Sequence, residues 1–269
     1  SHGNGGLNTS HADTAFHLAS TGLIAAAVTH TGDNARDVSA VGSAEWLVGR
    51  PRHIRAMLDF LVTDWPGHEH VDQNRISIFG FSMGGYTALA LIGGAPDVTR
   101  AAAYCPRHLK DYACDQGFGR AVAAWQSRPD AAAWPLETRI HASVLVAPAL
   151  GFLQDPERLA KVRIPIQMWT ARLDEGVPEE TTVHLVRDRL GARPEFHTVP
   201  DAHHFDFLSP CNPSVVERLT PFVRDIQAPH MCGGYPGFDR AGLHERLNQA
   251  IGAFLERALN RYPAPATAP

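Results

Sequence analysis

Charge, cysteine and long apolar runs are all scarce in this 269-residue chain, and each shortage removes a class of protein. Charged residues make up 19%, the formal net charge is −4 and no basic run occurs, which argues against a nucleic-acid footprint. No uninterrupted apolar stretch approaches the roughly 20 residues that a membrane-spanning helix needs. No fixed-period repeat or coiled-coil heptad is visible. The four cysteines, Cys105, Cys114, Cys211 and Cys232, contain no CxxC spacing, which argues against a zinc ribbon. Fifteen histidines are many, yet His68-Glu69-His70 and His203-His204 lack a third ligand at matched spacing, so no metal site is expected.

What is present describes an ordinary globular protein. Hydrophobic residues make up 44%, and the length suits one large α/β domain. No convincing linker interrupts it, so residues 1–262 are read as one domain, with 263–269 as a disordered tail. The cysteines fall as two close pairs in loop-like, proline-containing regions. Local disulfides Cys105–Cys114 and Cys211–Cys232 are expected, and with them a periplasmic or secreted location. The alternative is four reduced thiols.

One stretch organises the rest. Ile76 to Phe79 is a short β-branched and aromatic run, the pattern of a buried strand, and Tyr86 to Ile92 suits a buried helix. Between them Gly80-Phe81-Ser82-Met83-Gly84 fits G-x-S-x-G. Small flanking residues let a strand turn sharply into a helix, which would leave Ser82 exposed and strained as a nucleophile. A glycine-rich turn holding an ordinary serine is the competing reading.

Around this stretch the chain alternates. Ser10 to Ser20 reads as an amphipathic helix with Ala12, Ala15, Phe16 and Ala19 on one face, and Leu23 to Val28 as a strand buried on both faces. A helix is expected from about Pro51, with Ile54, Leu58, Leu61 and Trp65 at helical spacing. Residues 95–137 break the rhythm and read as an insertion of loops and short helices over the sheet's carboxyl edge. Strands follow at 143–146, 164–170 and 195–199, with helices at 177–190 and from an Asp239 N-cap onward. Strands alternating with helices predict a mostly parallel, doubly wound sheet.

In such sheets, ligands bind beyond the carboxyl ends of the strands. The strand at 164–170 is followed there by Asp174 and Glu175, and the strand at 195–199 by Asp201, His203 and His204. A serine hydroxyl needs a base, and that base needs a carboxylate to fix its tautomer. The order serine, acid, histidine is the one expected of an α/β-hydrolase triad. Residue types alone leave His203 against His204, and Asp174 against Glu175, open.

Ser1-His2-Gly3-Asn4-Gly5-Gly6, Gly80–Gly84, Leu173-Asp174-Glu175-Gly176-Val177-Pro178 and His204-Phe205-Asp206-Phe207-Leu208 together resemble bacterial dienelactone-hydrolase-like α/β-hydrolases. The set is also distantly similar to platelet-activating-factor acetylhydrolases. The resemblance spans almost the whole chain. It implies Ser82, Asp174 and His204 as the triad, an oxyanion hole from Asn4 and Met83, and no cofactor. Dienelactone hydrolases proper use a cysteine nucleophile, so Ser82 points to general ester hydrolysis. The fold implied also has a strand between Leu23–Val28 and Ile76–Phe79. N-terminal strands are therefore expected outside this sequence, in an upstream segment or in a second chain that completes the sheet.

The reading is a serine hydrolase acting on carboxylic esters, short-chain acyl esters first, with a small-molecule or lipid ester as substrate and no stable membrane insertion. The same triad would also suit a phospholipid acetyl ester, a lactone, a thioester or a polyester. A non-catalytic binding protein on the same scaffold is the alternative of another class.

Overall fold

Among the described residues four runs become strands, and all four lie parallel in the order β1 (Ile76–Phe81), β2 (Ile140–Val146), β3 (Ile166–Ala171), β4 (Glu195–Val199). The computed structural model describes residues 1–115, 117–124, 129, 131–134, 136–211 and 228–261; the predicted tail and Trp125 lie outside these. β2 and β3 are buried along almost their whole length, as continuous runs of Val, Leu, Met and Trp require between two helical layers.

The helices in chain order are α1 (Ala12–Ser20), α2 (Ala44–Thr63), α3 (Met83–Leu89), α4 (Arg100–Tyr104), α5 (Tyr112–Asp115), α6 (Phe118–Ala124), α7 (Pro156–Leu159), α8 (His184–Arg187), α9 (Ala228–Gly233) and α10 (Arg240–Leu259). One layer is α3 packed on β1 and β2 with α2 against it; α10 packs on the same strands and carries α1. Asp239 caps α10 by accepting the Gly242 N–H at 2.9 Å, and Leu243, Leu247, Ile251, Phe254 and Leu255 form its buried stripe.

Three expectations change. Helix α2 begins at Ala44 instead of near Pro51, because the Ser43 hydroxyl caps it by accepting the Trp46 N–H at 3.2 Å. Pro51 then stands inside the helix, where its missing N–H frees the Leu47 carbonyl. Tyr86 Oη and Trp134 Nε1 donate to that carbonyl at 3.3 and 3.4 Å, so tertiary partners replace the lost helical bond. Helix α1 turns Phe16 outward, 76% exposed, and buries Thr14 against Asn248 of α10 instead. The helix expected over 177–190 is shorter and irregular: a π-helical turn, Glu179–Val183, runs directly into α8.

A fourth correction matters most. Leu23–Val28 forms no strand and is mostly exposed, with Ile24 at 48%. An apolar run becomes a strand only with a ladder partner, and here β1 is a groove away. The groove has a volume of about 360 Å³ and is walled by Leu23–Val28 on one side and Ile76–Phe79 on the other, with Leu18, Met57 and Leu61 also lining it. On this flank β1 pairs with Ser1. The Ser1 amino group donates to the Phe79 carbonyl at 2.8 Å and the Phe81 N–H to the Ser1 carbonyl at 3.2 Å, the pattern of a parallel ladder.

The segment 95–137 supplies α4 to α6 and packs on stretches that follow β2 and β3. Tyr104 stacks on Phe152 with ring centroids 4.1 Å apart, and its hydroxyl donates to the Thr181 carbonyl at 3.1 Å. Disulfides join Cys105 to Cys114 and Cys211 to Cys232, an arrangement consistent with an oxidising compartment. Among the described residues no helix is long and apolar enough to cross a membrane.

Candidate active site

Ser82 occupies the sharp turn between β1 and α3 with φ 54° and ψ −118°, left-handed backbone that a non-glycine residue rarely adopts. The turn is held from below: the Ser82 N–H donates to the Val146 carbonyl at 2.9 Å, and its own carbonyl accepts from Tyr86 and Ala149. The flanking glycines are required by space. A Cβ on Gly80 would lie 2.1 Å from the Gly84 carbonyl oxygen, and one on Gly84 would lie 1.9 Å from the Ser1 carbonyl oxygen. Strain of this kind costs about 1–3 kcal/mol and persists only where the surroundings enforce it.

His204 and Asp174 arrive from the carboxyl ends of β4 and β3. His204 Nε2 is 3.0 Å from Ser82 Oγ, and His204 Nδ1 is 2.6 Å from Asp174 Oδ2. An ionised carboxylate only accepts, so Nδ1 carries the proton and Nε2 is left to accept from the serine. The other carboxylate oxygen of Asp174 accepts the N–H groups of Gly176 and Val177 at 2.9 and 2.6 Å, which fixes its plane. All three residues are at most 8% exposed. The Phe81 ring packs at 4.7 Å from the His204 ring.

The neighbouring candidates point elsewhere. His203 Nδ1 lies 2.7 Å from Glu175 Oε1, and its ring stacks on Tyr235 at 3.5 Å. Asp201 is exposed in the turn after β4. The segment carrying His204 is itself anchored: the His203 N–H donates to Asp206 Oδ2 at 2.8 Å, His244 Nε2 is 2.9 Å from the Asp206 carbonyl, and Arg240 Nε donates to the Leu208 carbonyl at 2.9 Å.

The first six residues lie across the elbow. A Cβ on Gly3 would come within 3.1 Å of the Phe81 ring and 3.3 Å of Ser82 Cβ, so the loop's backbone passes directly beside the serine. A turn closes between the Gly6 N–H and the Gly3 carbonyl at 3.2 Å, with Gly5 at φ +65° and Asn4 exposed at its tip. His2 Nε2 accepts the His30 N–H at 3.1 Å, so its proton sits on Nδ1, which donates to the Gly3 carbonyl at 2.7 Å. Burial holds this imidazole down to about 4, hence neutral at pH 7. Met83 opens α3, so its N–H is among those a helix leaves without an intrahelical acceptor.

Beneath the loop lies a buried ion pair, Asp33 with Arg50, each 1% exposed. Burial lowers the Arg50 guanidinium to about 10, and Asp33 opposes that shift. Sequence reasoning singled out neither residue. An aspartate in the polar stretch Thr29–Ser43 and an arginine inside a helix carry no spacing signal that would join them.

No protein-family model matches the chain, and no curated protein matches it. Among solved structures it is similar to a sugar hydrolase of Lactococcus lactis at 14% identity and TM-score 0.50, with 97% of this chain and 92% of that chain covered. A described "predicted CIB-like hydrolase" of Thermoplasma acidophilum aligns at 13% identity, TM-score 0.47, over 94% of this chain and 84% of that one. An esterase of Pyrococcus furiosus aligns at 14% identity and TM-score 0.37 over 77% of this chain, which spans 61% of the esterase's length. At these identities the likeness concerns the fold. The chain has an α/β-hydrolase fold.

Proposed function

We propose that this chain is a serine hydrolase that cleaves carboxylic esters, short-chain acyl esters first, through an acyl-enzyme. The observation that carries the reading is the continuous hydrogen-bond chain from Ser82 through His204 to Asp174, built on a strained elbow. Ser82 Oγ attacks the ester carbonyl while His204 Nε2 takes its proton. The imidazolium formed is stabilised by Asp174 at Nδ1. The developing oxyanion is received by the Asn4 and Met83 N–H groups, each worth about 3 kcal/mol in a transition state. Collapse of the tetrahedral intermediate expels the alcohol, which takes the proton from Nε2. Water then repeats the sequence against the acyl-serine, with His204 again as base, and releases the carboxylate. The chemistry calls for no cofactor.

The resemblance to dienelactone-hydrolase-like enzymes supports ester substrates over other acyl groups. A lactone, thioester, phospholipid acetyl ester or polyester would use the same atoms; direct assays on each class separate them, and chain-length profiling on p-nitrophenyl esters reads the acyl preference. Export is part of the same proposal, supported by the two disulfides. So is an extended segment filling the groove beside β1, supported by the parallel pairing already present at Ser1.

The test is p-nitrophenyl acetate hydrolysis by wild type and Ser82→Ala. The expected loss in kcat is on the order of 10⁴-fold or more. Equal rates would remove Ser82 from the mechanism. Absence of turnover in both, across ester classes, would favour a binding protein on this scaffold.

A further inference from the structure

An oxyanion donor must be held to a fraction of an ångström, yet the loop that carries Asn4 belongs to no helix or strand. What fixes it is visible on either side of Asn4. The Gly5 N–H donates to Asp33 Oδ1 at 2.7 Å. The His2 carbonyl accepts from Arg50 Nη2, which also reaches Ser1 Oγ at 3.4 Å. Asp33 and Arg50 are bonded to each other through Oδ2 and Nη1. One buried ion pair thus grips the backbone immediately before Gly3 and immediately after Asn4.

The same guanidinium reaches the other donor. Arg50 Nε donates to Thr87 Oγ1 at 3.0 Å, and Thr87 Oγ1 donates to the Met83 carbonyl at 2.8 Å. Trp46 Nε1 completes the carboxylate's shell at Asp33 Oδ2, 2.6 Å away. Every oxygen of Asp33 and every nitrogen of Arg50 is therefore engaged, and their partners lie in the loop, in α2 and in α3. Burying such a pair gains little stability by itself, because desolvation offsets most of the attraction. Its geometry has a further consequence: the elements bearing Asn4 and Met83 are tied to a single rigid group.

We propose that Asp33 and Arg50 are positioning residues that set the distance between the two oxyanion donors, so that removing either lowers kcat with little change in KM. The proposal rests on the serine-hydrolase reading. Ground-state ester binding does not need the donors at the oxyanion position, whereas the tetrahedral intermediate does.

The experiment uses Asp33→Asn and Thr87→Val, the first keeping the side-chain shape and the second cutting the tie to Met83. Rates on p-nitrophenyl acetate are divided by the number of active sites titrated with a fluorophosphonate, so that unfolded molecules do not count. Binding of a simple alkyl boronic acid, whose tetrahedral adduct occupies the oxyanion hole, is measured beside it. We expect kcat per titrated site to fall about 100-fold in Asp33→Asn and about 10-fold in Thr87→Val, with KM within threefold and boronate affinity falling in parallel. A purely structural role would reduce the number of titratable sites and leave kcat per site and boronate affinity unchanged, which overturns the proposal. If Asp33→Asn does not fold, Thr87→Val decides alone: a rate per site within twofold of wild type overturns it. Failure of the underlying reading looks different, since wild type itself would then carry no fluorophosphonate on Ser82.

Discussion

The two flanks of β1 are built differently. Toward β2 the strand is paired along its whole length, from Ile76 against Ile140 to Phe81 against Val146, and the sheet continues to β4. Toward the other side it meets Ser1 and then a groove, beyond which Leu23–Val28 lies outside any strand and mostly exposed. The paired flank delivers Asp174 and His204 to Ser82. The groove flank delivers the loop holding Asn4, which leans on the Asp33–Arg50 pair instead of on a ladder. Catalysis as proposed needs both flanks, one for proton transfer and one for the oxyanion.

The largest expected effect breaks the paired flank. His204→Ala is expected to lower kcat on p-nitrophenyl acetate on the order of 10⁴-fold, while His203→Ala stays within about fivefold. The reverse pattern would reassign the base. Next comes the seam between the flanks. In Gly84→Ala the added methyl meets the Ser1 carbonyl, so loop and elbow must part. A loss of about 10²–10³-fold in kcat is expected, equivalent to losing one oxyanion donor. Wild-type turnover in this variant would contradict the interlock.

Stability sharpens the contrast. Leu145→Ala in the middle of β2, where the side chain is fully buried, is expected to cost about 2–5 kcal/mol in urea unfolding. Ile24→Ala, at 48% exposure beside the open groove, is expected to cost less than about 1 kcal/mol. A large cost at Ile24 would mean that the groove is filled in the folded protein in solution.

A separate stability effect is the acid sensitivity of the groove flank. Burial holds His2 down to about 4 and His11 to about 3, and both line the groove. In the unfolded chain each would titrate near 6.5, so between these values the unfolded state binds more protons. Stability then rises with pH, and it is lost as pH falls from about 6.5 toward 4, by up to about 1.4 kcal/mol per pH unit for each histidine. His11 has both ring nitrogens buried without a partner and packs against Phe79 and Phe81. His11→Phe should therefore flatten the slope measured between pH 7 and pH 5. An unchanged slope would exclude His11 as a source of it.

The same contrast explains what the sequence discloses. Half-buried β4 is marked by its place in the alternation. β2 and β3 are legible because a parallel strand buried on both faces must be a largely continuous apolar run, as in Val144–Val146. Leu23–Val28 has that composition too, but composition does not report whether a pairing partner exists. Ser82 stands out because a spaced motif lies between a strand and a helix. Chain order and strand ends narrow the acid only to Asp174 or Glu175 and the base to His203 or His204. The resemblance to dienelactone-hydrolase-like enzymes is what selects Asp174 and His204. The contributions of Asp33, Arg50, Trp46 and Thr87 are tertiary. They come from a loop and two helices and meet only in three dimensions. The start of α2 is hidden from the sequence for a related reason, since the Leu47 carbonyl freed by Pro51 is satisfied by Tyr86 and Trp134, far away in sequence.

The most direct measurement is rapid-quench peptide mapping of the protein mixed with p-nitrophenyl acetate. The account predicts a burst of p-nitrophenol with one acetyl group, located on Ser82 and absent in His204→Ala. An acetyl group on another residue, or steady turnover with Ser82 never modified, would contradict it.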